Sequence, residues 1–208
     1  MQNQIEQAIR IALQSSAQRR NFALALDGAR VIPRLTSPND TLRVSAGSSP
    51  ENALEESFAH RPFCWSFPGN RGQIGIRLSQ KIIPTHLVLD MAYSTASERP
   101  SRAPRQVILW GVVDGHANHA TYEKDLREYR SGVAQHGSGP AESTGYTFLA
   151  LAAFEYDATA AFPLQTYRVA ESVVDSEMEF GVIVVEIRGN WGGDQTAICG
   201  LRVHGELV

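Results

Sequence analysis

The chain contains two cysteines, and each lies beside a tryptophan and a glycine-rich turn. The first is in Phe63-Cys64-Trp65-Ser66-Phe67-Pro68-Gly69-Asn70-Arg71-Gly72, which runs into Gln73-Ile74-Gly75-Ile76-Arg77-Leu78. The second is in Asn190-Trp191-Gly192-Gly193-Asp194-Gln195-Thr196-Ala197-Ile198-Cys199, which runs into Leu201-Arg202-Val203-His204-Gly205-Glu206. A bond between them would tie the front of a domain to its end. Closing so long a loop removes about 5 kcal/mol of unfolded-chain entropy in the simple loop-closure picture. Two separate thiols would instead pack as small hydrophobes. Two cysteines are too few to indicate an oxidising compartment, so on the residues alone both readings stay open.

At 208 residues the chain fits one domain, with room for an appendage. Its net charge of -3 gives no push toward nucleic acid or an anionic membrane. No segment has the apolar length to span a bilayer, and Met1-Gln2-Asn3-Gln4 lacks signal-peptide character.

Residues Gln2 to Arg20 read as a helix, with apolar residues at Ile5, Ala8, Ile9, Ile11, Ala12 and Leu13 and no Gly or Pro. About two heptads are too few to establish a coiled coil by periodicity. Arg34 to Ser57 is rich in Ser, Pro, Asn, Asp and Glu, which is loop chemistry. Short strand candidates follow at Ile74–Leu78, His86–Met91, Gln106–Gly111, Thr147–Ala150, Leu164–Val169, Gly181–Ile187 and Gly200–Gly205. Val182-Ile183-Val184-Val185 is a continuous apolar run, as expected for a strand buried on both faces. Many strands separated by turn residues predict a mainly β chain, an antiparallel sandwich. Between Gly115 and Gly145, Thr121 to Tyr129 could make a short helical turn, and Ser131 to Gly145 reads as a Gly/Ser-rich loop.

Few residues point to catalysis or metal binding. His116 and His119 have a spacing that would let both rings face one metal on a helix, but no Cys or carboxylate pattern completes a site. They read as two exposed loop histidines. His204, inside a strand candidate, reads as a hydrogen-bonded structural histidine. No Gly-x-Ser-x-Gly elbow and no Gly-Lys-Ser/Thr phosphate loop occurs. Glu155, Asp157, Asp175, Glu177 and Glu179 are scattered acids, which read as solvated loop charges. Trp65 and Trp191 could stack on a sugar, but beside the cysteines they read better as plugs closing the end of a sandwich. The expectation is a non-enzymatic chain.

Several blocks, in order, resemble a SUN domain, the Sad1/UNC-84 family. They are Asn21-Phe22-Ala23-Leu24 with Asp27-Gly28-Ala29, the run Cys64 to Leu78-Ser79, Ile83-Pro84-Thr85, Ala103-Pro104-Arg105 and Trp110-Gly111. Leu164-Gln165-Thr166-Tyr167, Asn190-Trp191-Gly192, Cys199 and Arg202-Val203-His204-Gly205 continue the pattern. The insert between Gly115 and Leu149 looks most like fungal members. The resemblance implies a galactose-binding-like β-sandwich over residues 21–208, preceded by a helix at 1–20 that ends a coiled-coil region. It also implies a bond between Cys64 and Cys199.

The implied function is that of a lumenal domain of the nuclear-envelope bridging (LINC) complex, which binds the C-terminal tail of KASH-type proteins. The implied location is the nuclear inner membrane, with the domain facing the perinuclear space and anchored through regions absent here. The family's trimer would belong to the full-length protein, the isolated chain being monomeric, and no nucleic acid would be involved. The tail would lie against a short β-hairpin lid within residues 36–57, where Leu42 and Val44 are the only alternating apolar pair. Animal members cross-link to the partner through a cysteine near the position of Thr36, so no covalent bond is expected here. The pocket for the tail's terminal carboxylate maps to Arg102, where the family has Ser, and to Met91, where it has His. Ala197 stands where the family has Tyr, and Ser101 and Gln195 flank the pocket. A monovalent cation near Phe58–Phe63 would be held by backbone carbonyls, with no side-chain signature in support, and no other cofactor is implied. The alternative is a lectin-like sandwich that binds glycan through Trp65, Trp191 and the polar loops.

Overall fold

The computed structural model describes residues 19–38, 48–55, 64–91, 100–124, 137–141, 143 and 145–208. The strands are β1 (Arg30–Val31), β2 (Trp65–Pro68), β3 (Gly72–Asp90), β4 (Pro104–Val113), β5 (Thr147–Glu155), β6 (Leu164–Arg168), β7 (Phe180–Asn190), β8 (Gln195–Ile198) and β9 (Gly200–Glu206). Among the described residues the α-helices between them are α1 (His116–Lys124) and α2 (Glu171–Val174). All strand pairs are antiparallel. The expected antiparallel β-sandwich is what forms.

One strand serves both layers. The first half of β3 pairs with β1 and β7, and its second half pairs with β6 and β9. Its register against β7 shifts between Arg77 and Ile82, as expected where a strand passes from one sheet to the other. Two of the short strand candidates, Ile74–Leu78 and His86–Met91, are therefore parts of one 19-residue strand. The main core fills the space between layers and includes Trp65, Phe67, Leu87, Leu89, Tyr156 and Phe180.

The apolar run in β7 is explained by its central place between β3 and β4. Ile183, Val185 and Ile187 enter the main core, whereas Val184 faces a second apolar cluster on the outer side of the sheet. The cysteine question is also settled by register. Trp65 of β2 pairs with Ile198 of β8, which brings the residues before and after them together, and Cys64 is bonded to Cys199.

The helix expected at 1–20 lies outside the described residues apart from Arg19 and Arg20. After them the chain is seated firmly. The Phe22 amide donates to the Val203 carbonyl at 2.8 Å, and the Ser79 amide donates to the Phe22 carbonyl at 2.9 Å. The Asn21 side chain accepts from the Ala23 and Val203 amides, both at 3.0 Å.

Two histidines, paired across β3 and β9, line this seam. His204 is buried, and its Nδ1 lies 2.8 Å from the Arg20 carbonyl. A carbonyl only accepts, so Nδ1 carries the proton; Nε2 is buried with no hydrogen-bond partner among the described residues. Burial lowers the His204 pKa; the bond to the Arg20 carbonyl opposes this, and Arg19 and Arg202 add to the lowering. His86 contacts Arg19 and Thr85, at 3.1 and 3.0 Å. Its pKa is lowered by burial, then by Arg19, Arg168 and His204.

Both rings therefore bind a proton less readily in the folded chain than in the unfolded one. The stability they allow is complete above about pH 6.5, the ordinary histidine value, and is lost as pH falls through the lower folded values. Thermal melts should show a fall in Tm between pH 7.5 and 5, and His204→Gln should flatten that slope. An equal slope in the variant would show that His204 does not contribute to it.

Candidate functional site

Of the residues expected to read a partner's carboxylate, Ser101 and Arg102 lie on one turn, which packs on Gly193 beside Gln195. Pro100–Arg102 forms a 3-10 turn just before β4. It docks on the turn after β7, where the Gly193 amide donates to the Ser101 carbonyl at 2.9 Å and the Trp191 amide to the Ala103 carbonyl at 3.3 Å. Gly193 has to be glycine, because a Cβ there would stand 2.8 Å from the Ser101 carbonyl oxygen. The Asn190 amide group holds the same turn by donating to the Gly193 carbonyl, the Gln195 carbonyl and the Thr196 hydroxyl, at 2.9 to 3.1 Å.

Arg102 is thereby fixed in place at its backbone while its side chain is exposed. It has no hydrogen-bond or ion partner among the described residues. Ser101 and Gln195 are half-buried beside it. Ala197 is nearly buried, paired with Ser66, and Met91 is wholly buried in the main core. The Met91 amide donates to the Pro163 carbonyl at 3.2 Å. Leu42 and Val44, and the stretch 58–63 expected to bear a cation, lie outside the described residues. Thr36, at the position of the family's cross-linking cysteine, is buried, and its hydroxyl donates to the Ile32 carbonyl at 2.9 Å.

A second cation near this turn is already engaged, and sequence reasoning gave it no role. The Arg105 guanidinium lies over the Trp191 ring, 4.6 Å from its centroid, and its Nε donates to Glu155 at 3.1 Å. The Trp191 indole N–H donates to the Tyr156 carbonyl at 3.0 Å. One face and the polar tip of Trp191 are therefore taken, and Trp65 is fully buried against Phe67. Both tryptophans act as plugs. The strand candidate began at Gln106, one residue after Arg105, and nothing in the sequence joined Arg105 to a ring 86 positions away.

The scattered acids form no catalytic pair among the described residues. Asp157 accepts from the Thr159 hydroxyl and amide, at 2.6 and 2.8 Å, and these bonds hold its carboxyl below the usual value. A general acid needs the opposite shift. His116 and His119 are exposed on α1, which starts earlier than the turn expected at Thr121. They belong to no group of three or more candidate ligands among the described residues.

Comparison with known proteins gives a consistent result. The family described as Sad1 / UNC-like C-terminal matches residues 43–207. SUN domain-containing protein 2 of Mus musculus is 26% identical over 223 residues, covering 99% of this chain and 26% of that protein. SUN domain-containing protein 5 of Mus musculus is 24% identical over 148 residues, covering 70% of this chain and 31% of that protein. The chain thus spans about a quarter to a third of the length of these relatives. Among solved structures, the family 32 carbohydrate-binding module from Streptococcus pneumoniae EndoD superposes with a TM-score of 0.57 at 11% identity, covering 90% of this chain and all of that one. Allantoicase from Saccharomyces cerevisiae gives 0.53 at 12% identity, over 89% of this chain and 43% of that one. At such identities the likeness establishes the sandwich fold alone.

Proposed function

The chain belongs to the Sad1/UNC-like C-terminal family, the SUN domains, and on that premise we propose that it is a binding module for the C-terminal tail of a KASH-type protein. The observation that carries this reading is Arg102. It is an exposed residue whose neighbours Ser101 and Ala103 accept from the Gly193 and Trp191 amides, and it has no partner among the described residues. A guanidinium takes a carboxylate through two parallel hydrogen bonds. The tail's terminal carboxylate enters here, beside Ser101 and Gln195, with Ala197 and Met91 as the further pocket positions drawn from the family resemblance. The upstream part of the tail runs along residues 36–57, where Leu42 and Val44 contribute, adding backbone hydrogen bonds by strand pairing.

In this reading residues 1–20 end a coiled-coil helix, 21–208 form the sandwich, and 115–145 is an insert of the fungal type. The domain faces the perinuclear space from the inner nuclear membrane, as the lumenal part of a LINC bridge linking nucleus to cytoskeleton. No helix among the described residues is long and apolar enough to cross a membrane. The longer protein is a trimer. The glycan-binding alternative has less support, because Trp65 is buried and Trp191 is covered by Arg105.

Calorimetric titration with a synthetic KASH-type tail tests this. Arg102→Ala and amidation of the peptide C-terminus should each weaken binding by about 1.5–3 kcal/mol, the range for a hydrogen bond to a charged group. The wild-type affinity should fall with added salt. If neither change matters, the carboxylate is not read at Arg102. Glycan-array binding with no tail binding would favour the lectin reading instead.

A further inference from the structure

The outer face of the β1-β3-β7-β4-β5 sheet is covered here, and two segments that are remote in sequence cover it. Leu35, Ile108, Trp110, Phe148 and Val184 make an apolar cluster on this face, with Ile32 and Tyr146 at its rim. At the edge of the cluster the Trp110 indole N–H donates to the buried Glu186 carboxylate at 2.8 Å, and Arg188 pairs with the same carboxylate at 3.1 Å.

The first covering segment is Ile32 to Ser37, from which the proposed tail-binding stretch 36–57 departs. It is laced to β3. The Ile32 amide donates to the Gly75 carbonyl at 2.8 Å, and the Ser37 amide donates to the Gln73 carbonyl at 2.9 Å. The Gln73 side chain donates to the Leu35 carbonyl at 3.0 Å, and the Gly75 amide donates to the Thr36 hydroxyl at 3.1 Å. Only glycine at 75 allows this approach, since a Cβ there would meet the Leu35 Cβ at 2.4 Å.

The second covering segment is the end of the insert. Gly139 lies against Phe148, with 2.9 Å from its would-be Cβ to the ring. Tyr146 sets its edge on Phe148 at 6.1 Å between centroids, and Phe148 does the same to Trp110 at 6.5 Å. The two segments meet where the Arg34 guanidinium lies over the Tyr146 ring, 5.2 Å from its centroid. Both segments also line a groove of about 650 Å³, the first through Ser37 and the second through Gly137–Gly139.

We propose that the insert is a strut: Tyr146, seated on Phe148, holds Arg34 and so fixes the root of the 36–57 stretch, which sets how tightly a tail is bound. Its role in affinity rests on the tail-binding reading; its role in holding the root does not. A root already fixed has less freedom to lose when the tail arrives. Arg34 and Tyr146 are positioning residues that need not touch the tail.

Hydrogen exchange on the free chain reads the strut directly, through the amides of Leu35, Thr36 and Ser37. Loss of an exposed cation–π contact and of an aromatic edge contact should speed exchange there by roughly 3- to 10-fold in Tyr146→Ala and in Arg34→Ala. Tyr146→Phe and Arg34→Lys keep a ring and a cation and should exchange like wild type. The Phe22 amide, on the far seam, should not change in any of them. Wild-type exchange at residues 35–37 in both alanine variants would overturn the strut. Titration with a synthetic KASH-type tail then tests the coupling. The alanine variants should bind more weakly by a similar factor and the conservative pair as wild type does. Full affinity in the alanine variants would overturn the effect on binding. A wild-type chain that binds no tail would defeat the tail reading and with it the effect on affinity, leaving the root-holding role to be decided by exchange.

Discussion

Replacing Cys199 by alanine should destabilise the fold by about 2–5 kcal/mol, the usual range for losing a native disulfide. The bond links residues 135 positions apart, so its loss frees a long stretch of unfolded chain. The pairing of Trp65 with Ile198 remains, so the variant should keep the same fold at low denaturant. Urea denaturation with and without reductant checks this. Reduced wild type and the variant should share a midpoint well below that of the oxidised protein. Equal midpoints for oxidised wild type and variant would show that the bond constrains nothing that matters.

Trp65→Ala should cost about 3–5 kcal/mol, as large-to-small changes at buried aromatics do. Trp65 has no exposed surface and lies 4.6 Å from Phe67 between ring centroids. It lies on β2, paired with Ile198 of β8 and next to the disulfide-bonded Cys64. Trp191→Ala should cost less, because that ring is only half-buried. If Trp65→Ala melts like wild type, the ring does not plug the core, and its availability to a ligand would have to be reconsidered.

The strands were legible because most carry a plain signal. The unbroken apolar run in β7 marked a strand buried on both faces, and it proved to be the centre of a sheet covered on both sides. The length of β3 was not legible. Ser79-Gln80-Lys81 looks like a polar connector, and Gln80 and Lys81 are exposed, yet the backbone stays extended while it changes sheets. The α1 helix carries almost no amphipathic pattern, only Tyr122 being buried on it, so its first part, before Thr121, read as a loop.

The pairing of Cys64 with Cys199 could not be decided from the residues alone, because it depends on the β2–β8 register. The second apolar cluster was hidden for a related reason. Leu35, Trp110 and Phe148 come from three distant stretches, and no local periodicity joins them. The corner around Arg102 came from family resemblance. The sequence held no hint that Gly193 would fix Ser101, a contact that depends on a missing Cβ.

The central claim, a proposal, is that this domain binds the C-terminal tail of a KASH-type protein and reads its terminal carboxylate. Native mass spectrometry at micromolar concentration, with and without a synthetic KASH-type tail, tests it most directly. The isolated chain should appear as a monomer, and the tail should add the mass of one peptide, with the amidated peptide adding far less. A chain that remains at monomer mass with excess free-acid tail, or that takes up both peptides equally, would contradict the account.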